Sequence, residues 1–209
     1  MRAAAGCADD TTATGDGTVS NGKLRHRTAS RLTPAAPRPC IGCGGAVPDI
    51  AGPTHSYMRS SPGCWATYGE VCARVFGTEG RASDGRHVDC YAVQHPGGAE
   101  HDSRQRSSVA VHLTALCLDR QFAIPTDQVT AIRARMSRIV LPQLGRSQWP
   151  YLLPPTGSAT TTVADVHTLG NGHQLIDRIE QWAAETWSAW DDHHATVHEW
   201  AAAAARTRQ

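Results

Sequence analysis

Cysteine and histidine residues that could bind a metal ion are concentrated between residues 40 and 64. Cys40, Cys43, His55 and Cys64 follow the pattern C-x2-C-x11-H-x8-C. Thiolates and neutral imidazoles are ligands that Zn2+ prefers, and a C-x2-C pair places two sulfurs on one tight turn. The three glycines of the CIGCGG run allow the backbone to fold closely around a cation. The spacing predicts a zinc site with the three cysteines and one imidazole as ligands.

Other interpretations of this stretch stay open. A thioredoxin-like dithiol requires a strand before the cysteine pair and a helix directly after it, and the sequence has neither pattern. Buried cysteines also pack simply as small apolar side chains. The fourth ligand is open as well, because His95 or a histidine near the C-terminus can replace His55.

A second, dispersed group of histidines could form an open metal site between helices. His95 ends one predicted helix, His112 lies within another, and His193, His194 and His198 lie on the last. Imidazoles on facing helices can converge on a metal and leave one coordination position for water or substrate. We consider His95, His112 and His194 as ligands of such a site. The competing interpretation is that His112 is a core histidine and that the DDHH run is a solvated helix face.

These residues lie in a sequence with helical periodicity and without an alternating strand pattern. Apolar residues recur at helical spacing in five segments, which are 64–76, 88–95, 109–118, 125–142 and 172–205. We therefore predict an all-α fold, a bundle of about five helices preceded by a loop-rich Cys/Gly/Pro segment. Residues 109–118 are the most uniformly apolar and belong at its centre, with Ser107 or Ser108 as the helix cap.

Short breaks separate these helices. Residues 149–155 predict a rigid extended connector, and residues 162–169 predict one or two helical turns. Residues 1–36 contain almost no large apolar side chain, so they cannot offset the entropy lost on ordering. We expect them to form a disordered tail before a helical metal-binding domain at residues 37–205.

Composition limits the classes of partner. Twenty Lys and Arg residues balance nineteen Asp and Glu residues, which leaves a formal charge of +1. We therefore expect neither nucleic acid nor a membrane surface as a partner, and the small-molecule or protein partner is unknown. The first residues lack the apolar run of a signal peptide, and clustered cysteines suit a reducing compartment, so we expect a cytoplasmic location. The glycine-rich motifs of nucleotide-binding proteins and the serine-hydrolase motif are absent.

Five segments of the sequence carry a resemblance to a known family: CIGCGG, GPTHSYMRSSPGCW, DCYAVQHPG, SVAVHLTALCL and WDDHHATVHEW. Together they resemble an uncharacterised bacterial family of unknown function, mainly actinobacterial, with an N-terminal CxxCG element and a C-terminal HHxTV helix. The resemblance covers roughly residues 39–202 and implies homology without naming a reaction. It also implies that residues 1–36 lie outside the shared domain.

The late H-x3-H pair, His194 and His198, also resembles that of bundle proteins of the damage-inducible, metal-dependent thiol-transferase type. Here the pair lies close to the chain end, with no further helix after it. Three functions follow from the sequence. The first is a cytoplasmic protein with a mainly structural Zn2+; the second is a metal-dependent hydrolase or thiol or group transferase that uses the histidine site. The third is a redox- or metal-sensing regulatory module.

Overall fold

The computed structural model describes residues 36–77, 85–98, 100–156, 160–170 and 172–206. All structural statements below concern these residues. The tail predicted at residues 1–36 lies outside them except for residue 36, so its disorder and the domain boundary stay predictions.

The described residues form a predominantly helical fold, which confirms the all-α prediction. Eight α-helices, a 3-10 helix and a two-stranded antiparallel sheet make up the structure. In chain order they are β1 (Arg38–Pro39), β2 (Ala46–Val47), α1 (Pro62–Gly77), α2 (Arg86–Gln94), α3 (Ser103–Arg120), α4 (Thr126–Arg133), α5 (Met136–Gln143), α6 (Val163–His167), α7 (His173–Ser188), the 3-10 helix (Asp191–His193) and α8 (His194–Arg206).

The helices are more numerous than the five expected because two predicted helices are each divided and the turns predicted at residues 162–169 form α6. The segment 125–142 forms α4 and α5, which are separated by Ala134 and Arg135. The C-terminal segment forms α7 and α8, joined through the 3-10 turn at the DDHH run. Hydrophobic periodicity gave no sign of these breaks, because apolar residues continue at near-helical spacing on both sides.

The central position of α3 agrees with the sequence prediction. It packs against α2, α4, α5, α7 and α8, and Leu113, Leu116 and Leu118 are completely buried. Its start was predicted too late, because the cap is Asp102 rather than Ser107 or Ser108. The Asp102 carboxylate accepts the backbone N–H groups of residues 104 and 105, which is the usual role of an N-cap aspartate.

The loop-rich segment before α1 contacts the chain at the C-terminal end of α2. Arg59 N–H donates to the His95 carbonyl at 3.1 Å, and Met58 pairs with Pro96 in an isolated antiparallel bridge. The segment is thereby fixed against the C-terminal end of α2. No helix in the described part of the chain has both the length and the apolar character needed to cross a bilayer.

Candidate metal centre

Four side chains from three separate parts of the chain meet at one buried point. The Sγ atoms of Cys40, Cys43 and Cys64 and a ring nitrogen of His95 all lie within 4.8 Å of one another. His95 Nε2 is 3.6 Å from Cys40 Sγ and 3.2 Å from Cys64 Sγ, and Cys43 Sγ is 3.9 Å from Cys64 Sγ. All four residues are at least nine-tenths buried. Among the described residues this is the one group of three or more His, Cys, Asp or Glu side chains arranged to hold a metal ion.

The first two sulfurs are positioned by the turn between β1 and β2. Cys40 follows β1 directly, and its N–H donates to the Gly45 carbonyl at 2.8 Å, which closes the hairpin. Gly44 has φ +75°, a left-handed conformation that other residues adopt at a cost. This turn brings Cys43 back beside Cys40, so both sulfurs point to the same side.

The third sulfur comes from the first turn of α1. Cys64 follows Pro62 and Gly63, and proline is favourable at the start of a helix because its missing N–H would have no partner there. A Cβ on Gly63 would overlap the Pro48 carbonyl oxygen, so the helix start lies directly against the segment that leaves β2. This close contact carries Cys64 to the hairpin.

The imidazole is fixed at the end of α2. His95 Nδ1 lies 2.7 Å from the Tyr91 carbonyl oxygen, which can only accept, so Nδ1 carries the proton of the neutral ring. Nε2 is then free to bind a metal, and it is the atom that faces the sulfurs. A backbone carbonyl on the second nitrogen is a common way to orient a metal-binding histidine.

Hydrogen bonds to sulfur complete the surroundings of the cluster. Cys40 Sγ accepts the backbone N–H groups of Gly42 and Ser61 at 3.4 and 3.5 Å. The Tyr91 hydroxyl lies 3.7 Å from Cys64 Sγ. Such donors stabilise negative charge on sulfur, which a thiolate ligand carries. No hydrogen bond from a backbone N–H to Cys43 Sγ occurs among the described residues.

Electrostatics within the metal-free cluster favour a thiolate beside an imidazolium. Hydrogen bonds with Cys43, Cys64 and His95 hold the pKa of the Cys40 thiol far below its usual range, although burial opposes this. Burial lowers the pKa of His95, but its hydrogen bonds with Cys40 and Cys43 outweigh burial and raise it to about 9. The pKa of Cys64 is raised by the neighbouring Cys40 and Cys43 sulfurs and by burial. A bound dication would replace these protons, so metal binding releases protons.

The distances match the edges of a tetrahedral zinc site. With Zn–S of about 2.3 Å and Zn–N of about 2.0–2.1 Å, two sulfurs are separated by about 3.8 Å and a sulfur and a nitrogen by about 3.6 Å. The corresponding separations here are 3.9 Å for Cys43 and Cys64, and 3.6 and 3.2 Å for the two sulfurs next to His95 Nε2. A disulfide would need about 2.0 Å. Three thiolates and one imidazole therefore fit one four-coordinate Zn2+.

The remaining sequence candidates lie elsewhere. His55 is outside the cluster because its ring packs against Tyr57 and Trp65, with centroids 4.3 and 5.2 Å away. Burial lowers the pKa of His55. The histidine that joins the cysteines is His95, which the sequence analysis had offered for this site as a substitute for His55 and had also considered for the open histidine site. Its long separation from Cys64 gave no local signal, whereas the nearer His55 fitted familiar ligand spacings.

The open histidine site is not assembled either. His112 Nδ1 lies 2.7 Å from Asp89 Oδ1, and Arg133 binds the other oxygen of the same buried carboxylate at 2.6 Å. His194 stacks on the Trp187 ring with centroids 3.8 Å apart, and its Nε2 lies 2.9 Å from the Trp187 carbonyl oxygen. Both imidazoles are thus engaged in contacts between helices, while His95 lies with the cysteines.

Comparison with known proteins places the chain in a family without assigning an activity. No curated protein and no solved structure matches it. A family model described as a family of unknown function, DUF5946, matches residues 38–191, a range that contains all four residues of the cluster. The chain belongs to this family of unknown function.

Proposed function

We propose that this chain is a cytoplasmic zinc-binding helical protein in which the metal has a mainly structural role. The observation that carries the proposal is the tetrahedral spacing of Cys40, Cys43, Cys64 and His95 in a buried position. Three thiolates and one imidazole form a donor set typical of structural zinc, and magnesium or calcium would require oxygen ligands.

A closed coordination sphere supports a structural role over a catalytic one. Catalytic zinc sites keep one position for water or substrate, whereas four protein ligands occupy all positions of a tetrahedral ion. The alternative of a hydrolase or transferase requires a histidine site between helices, and His112 and His194 are bonded to other groups. The six described cysteines carry free thiols, which supports a reducing compartment.

The metal would connect three segments of the chain in addition to the backbone contacts between them. Its ligands come from the β1–β2 turn, the start of α1 and the end of α2. The binding energy of a structural zinc ion is folding energy, because the unfolded chain has no preformed site. The ion would then add to the backbone contacts that hold the loop-rich segment before α1 against α2.

Cobalt substitution tests the donor set directly. Co2+ added to the metal-free protein should give the intense visible bands of a tetrahedral ion and a near-ultraviolet thiolate-to-cobalt transition. Cys40→Ser should reduce the thiolate transition, whereas Cys117→Ser, which removes a buried thiol outside the cluster, should leave it unchanged. Weak octahedral bands in the wild-type protein would contradict the proposal.

A second candidate, oxidant sensing by the same site, is favoured by the environment of Cys43. Its sulfur has no backbone N–H donor among the described residues, while Cys40 Sγ has two. Hydrogen bonds reduce the charge available on a thiolate, so the Cys43 sulfur would be more nucleophilic than that of Cys40. Its sulfur is also 3.9 Å from Cys64 Sγ, within reach of a disulfide after a small movement.

The reaction of these cysteines with a peroxide would have two steps. Cys43 sulfur attacks one peroxide oxygen, the S–O bond forms, the O–O bond breaks and hydroxide leaves, which oxidises the sulfur to a sulfenic acid. Cys64 thiolate next attacks that sulfur, the S–S bond forms, the S–O bond breaks and a second hydroxide leaves. Two of the four ligands would be lost, so that Cys40 and His95 alone would hold the metal.

Hydrogen peroxide treatment of the zinc-loaded protein tests this candidate. Zinc should appear in solution together with a Cys43–Cys64 disulfide detected by peptide mass spectrometry, and dithiothreitol should restore zinc binding. Zinc release that thiols do not reverse, or a disulfide between other cysteines, would contradict oxidant sensing and would leave the structural role unaffected.

A further inference from the structure

A cavity adjoins the candidate metal centre and has the properties of a small-ligand site. Its volume is about 240 Å3, and it lies between the β1–β2 turn, the end of α2, residues 154–156 and the C-terminal end of α7. The volume is below the roughly 300–1,000 Å3 of pockets that take drug-sized molecules, so the ligand must be small.

The walls of the cavity are next to the residues of the cluster. Ile41 and Gly42 lie between the first two cysteines, and Gln94 and Pro96 flank His95. The Arg59 backbone lies directly against Gly42, and its N–H donates to the His95 carbonyl oxygen. Any movement of the cluster would therefore displace several walls of the cavity at once.

Two side chains that line the cavity can donate hydrogen bonds to an anion, Arg59 and Trp190. Arg59 lines it, and its exposed side chain makes no ion pair or hydrogen bond with a described residue. Trp190 also lines the cavity and is 2% exposed. Its indole N–H donates to no described residue and is not sealed from solvent, unlike that of Trp182. No Asp or Glu lines the cavity, and Arg59 is its one residue with a full positive charge; the other polar residues of the lining are Cys43, Gln94, Thr156 and Thr186, and Gln94 Oε1 has no hydrogen-bond partner.

The other walls are mainly apolar. Ile41, Val93, Pro154 and Pro155 contribute to them, and the Ile41 side chain is 61% exposed at the rim. An exposed isoleucine beside a concave surface leaves apolar area that a ligand can cover. A single guanidinium matches a monoanion, and the apolar walls match a hydrocarbon body.

We propose that this cavity binds a small organic monocarboxylate, with the carboxylate at Arg59 and Trp190 and the apolar body against Ile41, Val93 and the two prolines. The guanidinium supplies the charge, and the indole N–H supplies a second donor whose direction is fixed by the burial of its ring. This assignment goes beyond the structural role of the metal and stands on the cavity itself.

Isothermal titration of the full-length protein with hexanoate tests the assignment. Hexanamide is the control ligand because it has a similar size without the charge, and inorganic phosphate tests for a general anion site. Hexanoate should bind saturably and at least about tenfold more tightly than hexanamide or phosphate, since one charge-assisted contact is worth about 1.4 kcal/mol or more. Equal binding of hexanoate and hexanamide, tighter binding of phosphate, or no binding of hexanoate would overturn the proposal.

Two variants and a control locate the site. Arg59→Gln should weaken hexanoate binding about tenfold or more, and Trp190→Phe, which keeps a large ring and removes the N–H, should weaken it several-fold. Arg146→Gln removes an exposed arginine outside the cavity and should leave binding unchanged. Unchanged binding in Arg59→Gln would overturn the assignment.

Measuring the zinc content of each sample separates the proposal of a carboxylate site from the proposal of a structural zinc site. Hexanoate binding by protein that contains no metal and takes up none when zinc is added would contradict the structural zinc site and support the ligand site. Absence of hexanoate binding by a zinc-loaded protein would contradict the ligand site alone.

Discussion

At the scale of single residues, Gly42 shows how closely the metal-site turn is packed. A Cβ at this position would overlap the Arg59 carbonyl oxygen and lie 2.6 Å from His95 Cδ2. The neighbouring backbone would have to move, and forced packing of this kind costs about 1–3 kcal/mol. Glycine is therefore required here by space, since its φ angle is not among the positive ones.

We predict that Gly42→Ala lowers the free energy of unfolding by about 2 kcal/mol. Chemical denaturation of the zinc-loaded protein measures the change. Gly69→Ala is the matched control, because Gly69 lies in α1 with open space around it and alanine favours a helix by up to about 1 kcal/mol. Equal effects of the two substitutions would refute the close approach at Gly42.

A comparison of two histidines tests the identity of the fourth ligand. His95→Ala should reduce zinc affinity by more than the roughly 10- to 100-fold that loss of an orienting partner costs. His55→Ala should leave zinc affinity unchanged, because its ring packs against Tyr57 and Trp65 and is not part of the cluster. Competition with a zinc chelator measures both affinities, and the reverse order would show that His55 is the ligand.

At the scale of secondary-structure elements, a buried carboxylate joins three helices. Asp89 on α2 binds His112 on α3 and Arg133 on α4, and the Asp89 side chain is 3% exposed. Removing one member of such a buried network leaves charges without partners and costs about 3–5 kcal/mol. His112 thus has a structural partner in this fold, as the core-histidine interpretation expected.

Asp89→Asn should lower the free energy of unfolding by about 3 kcal/mol without changing the zinc content. The exposed pair of Arg38 and Asp49 supplies the control, since Asp49→Asn should change stability by no more than about 1 kcal/mol. Loss of zinc in folded Asp89→Asn would instead connect this network to the metal.

The Glu185 carboxylate on α7 binds Thr160 and Thr161 before α6, and the stability that these hydrogen bonds contribute depends on pH. Glu185 accepts hydrogen bonds from Thr160, Thr161 and Gln181, and these outweigh the opposing effect of burial and lower the pKa of its carboxyl to about 2. A carboxyl with a lowered pKa stabilises the folded state above its unfolded pKa of 4.5, and this contribution is lost as the pH falls towards 2.

Glu185→Gln should therefore lower the melting temperature at pH 7 by about 3 °C, equivalent to about 1 kcal/mol for the lost contacts. The difference from the wild-type protein should shrink as the pH falls below 4.5. Metal release in acid affects both proteins alike and cancels in this difference. A difference that is constant with pH would show that Glu185 has no such role.

At the scale of the whole molecule, the sequence predicted the elements better than their connections. The all-α class and the central α3 followed from apolar periodicity, which records burial along one helix. The divisions between α4 and α5 and between α7 and α8 did not, because a short break leaves the periodicity almost unchanged.

The same distinction between elements and their connections explains which ligands of the metal centre could be predicted from the sequence. The three cysteines could be grouped from their spacing alone, since all lie in one loop-rich segment and the helix start that follows it. His95 could not be assigned, because its position depends on the bridge between Met58 and Pro96 and on the Tyr91 carbonyl. Contacts between distant segments of this kind carry no periodic signal in the sequence.

The most direct test of the central claim is elemental analysis of the purified full-length protein, with unfolding measured before and after chelation. We predict about one zinc per chain and a clear fall in the melting temperature when the metal is removed. A protein that contains no transition metal, takes up none when zinc is added and unfolds at the same temperature with or without a chelator would contradict the account.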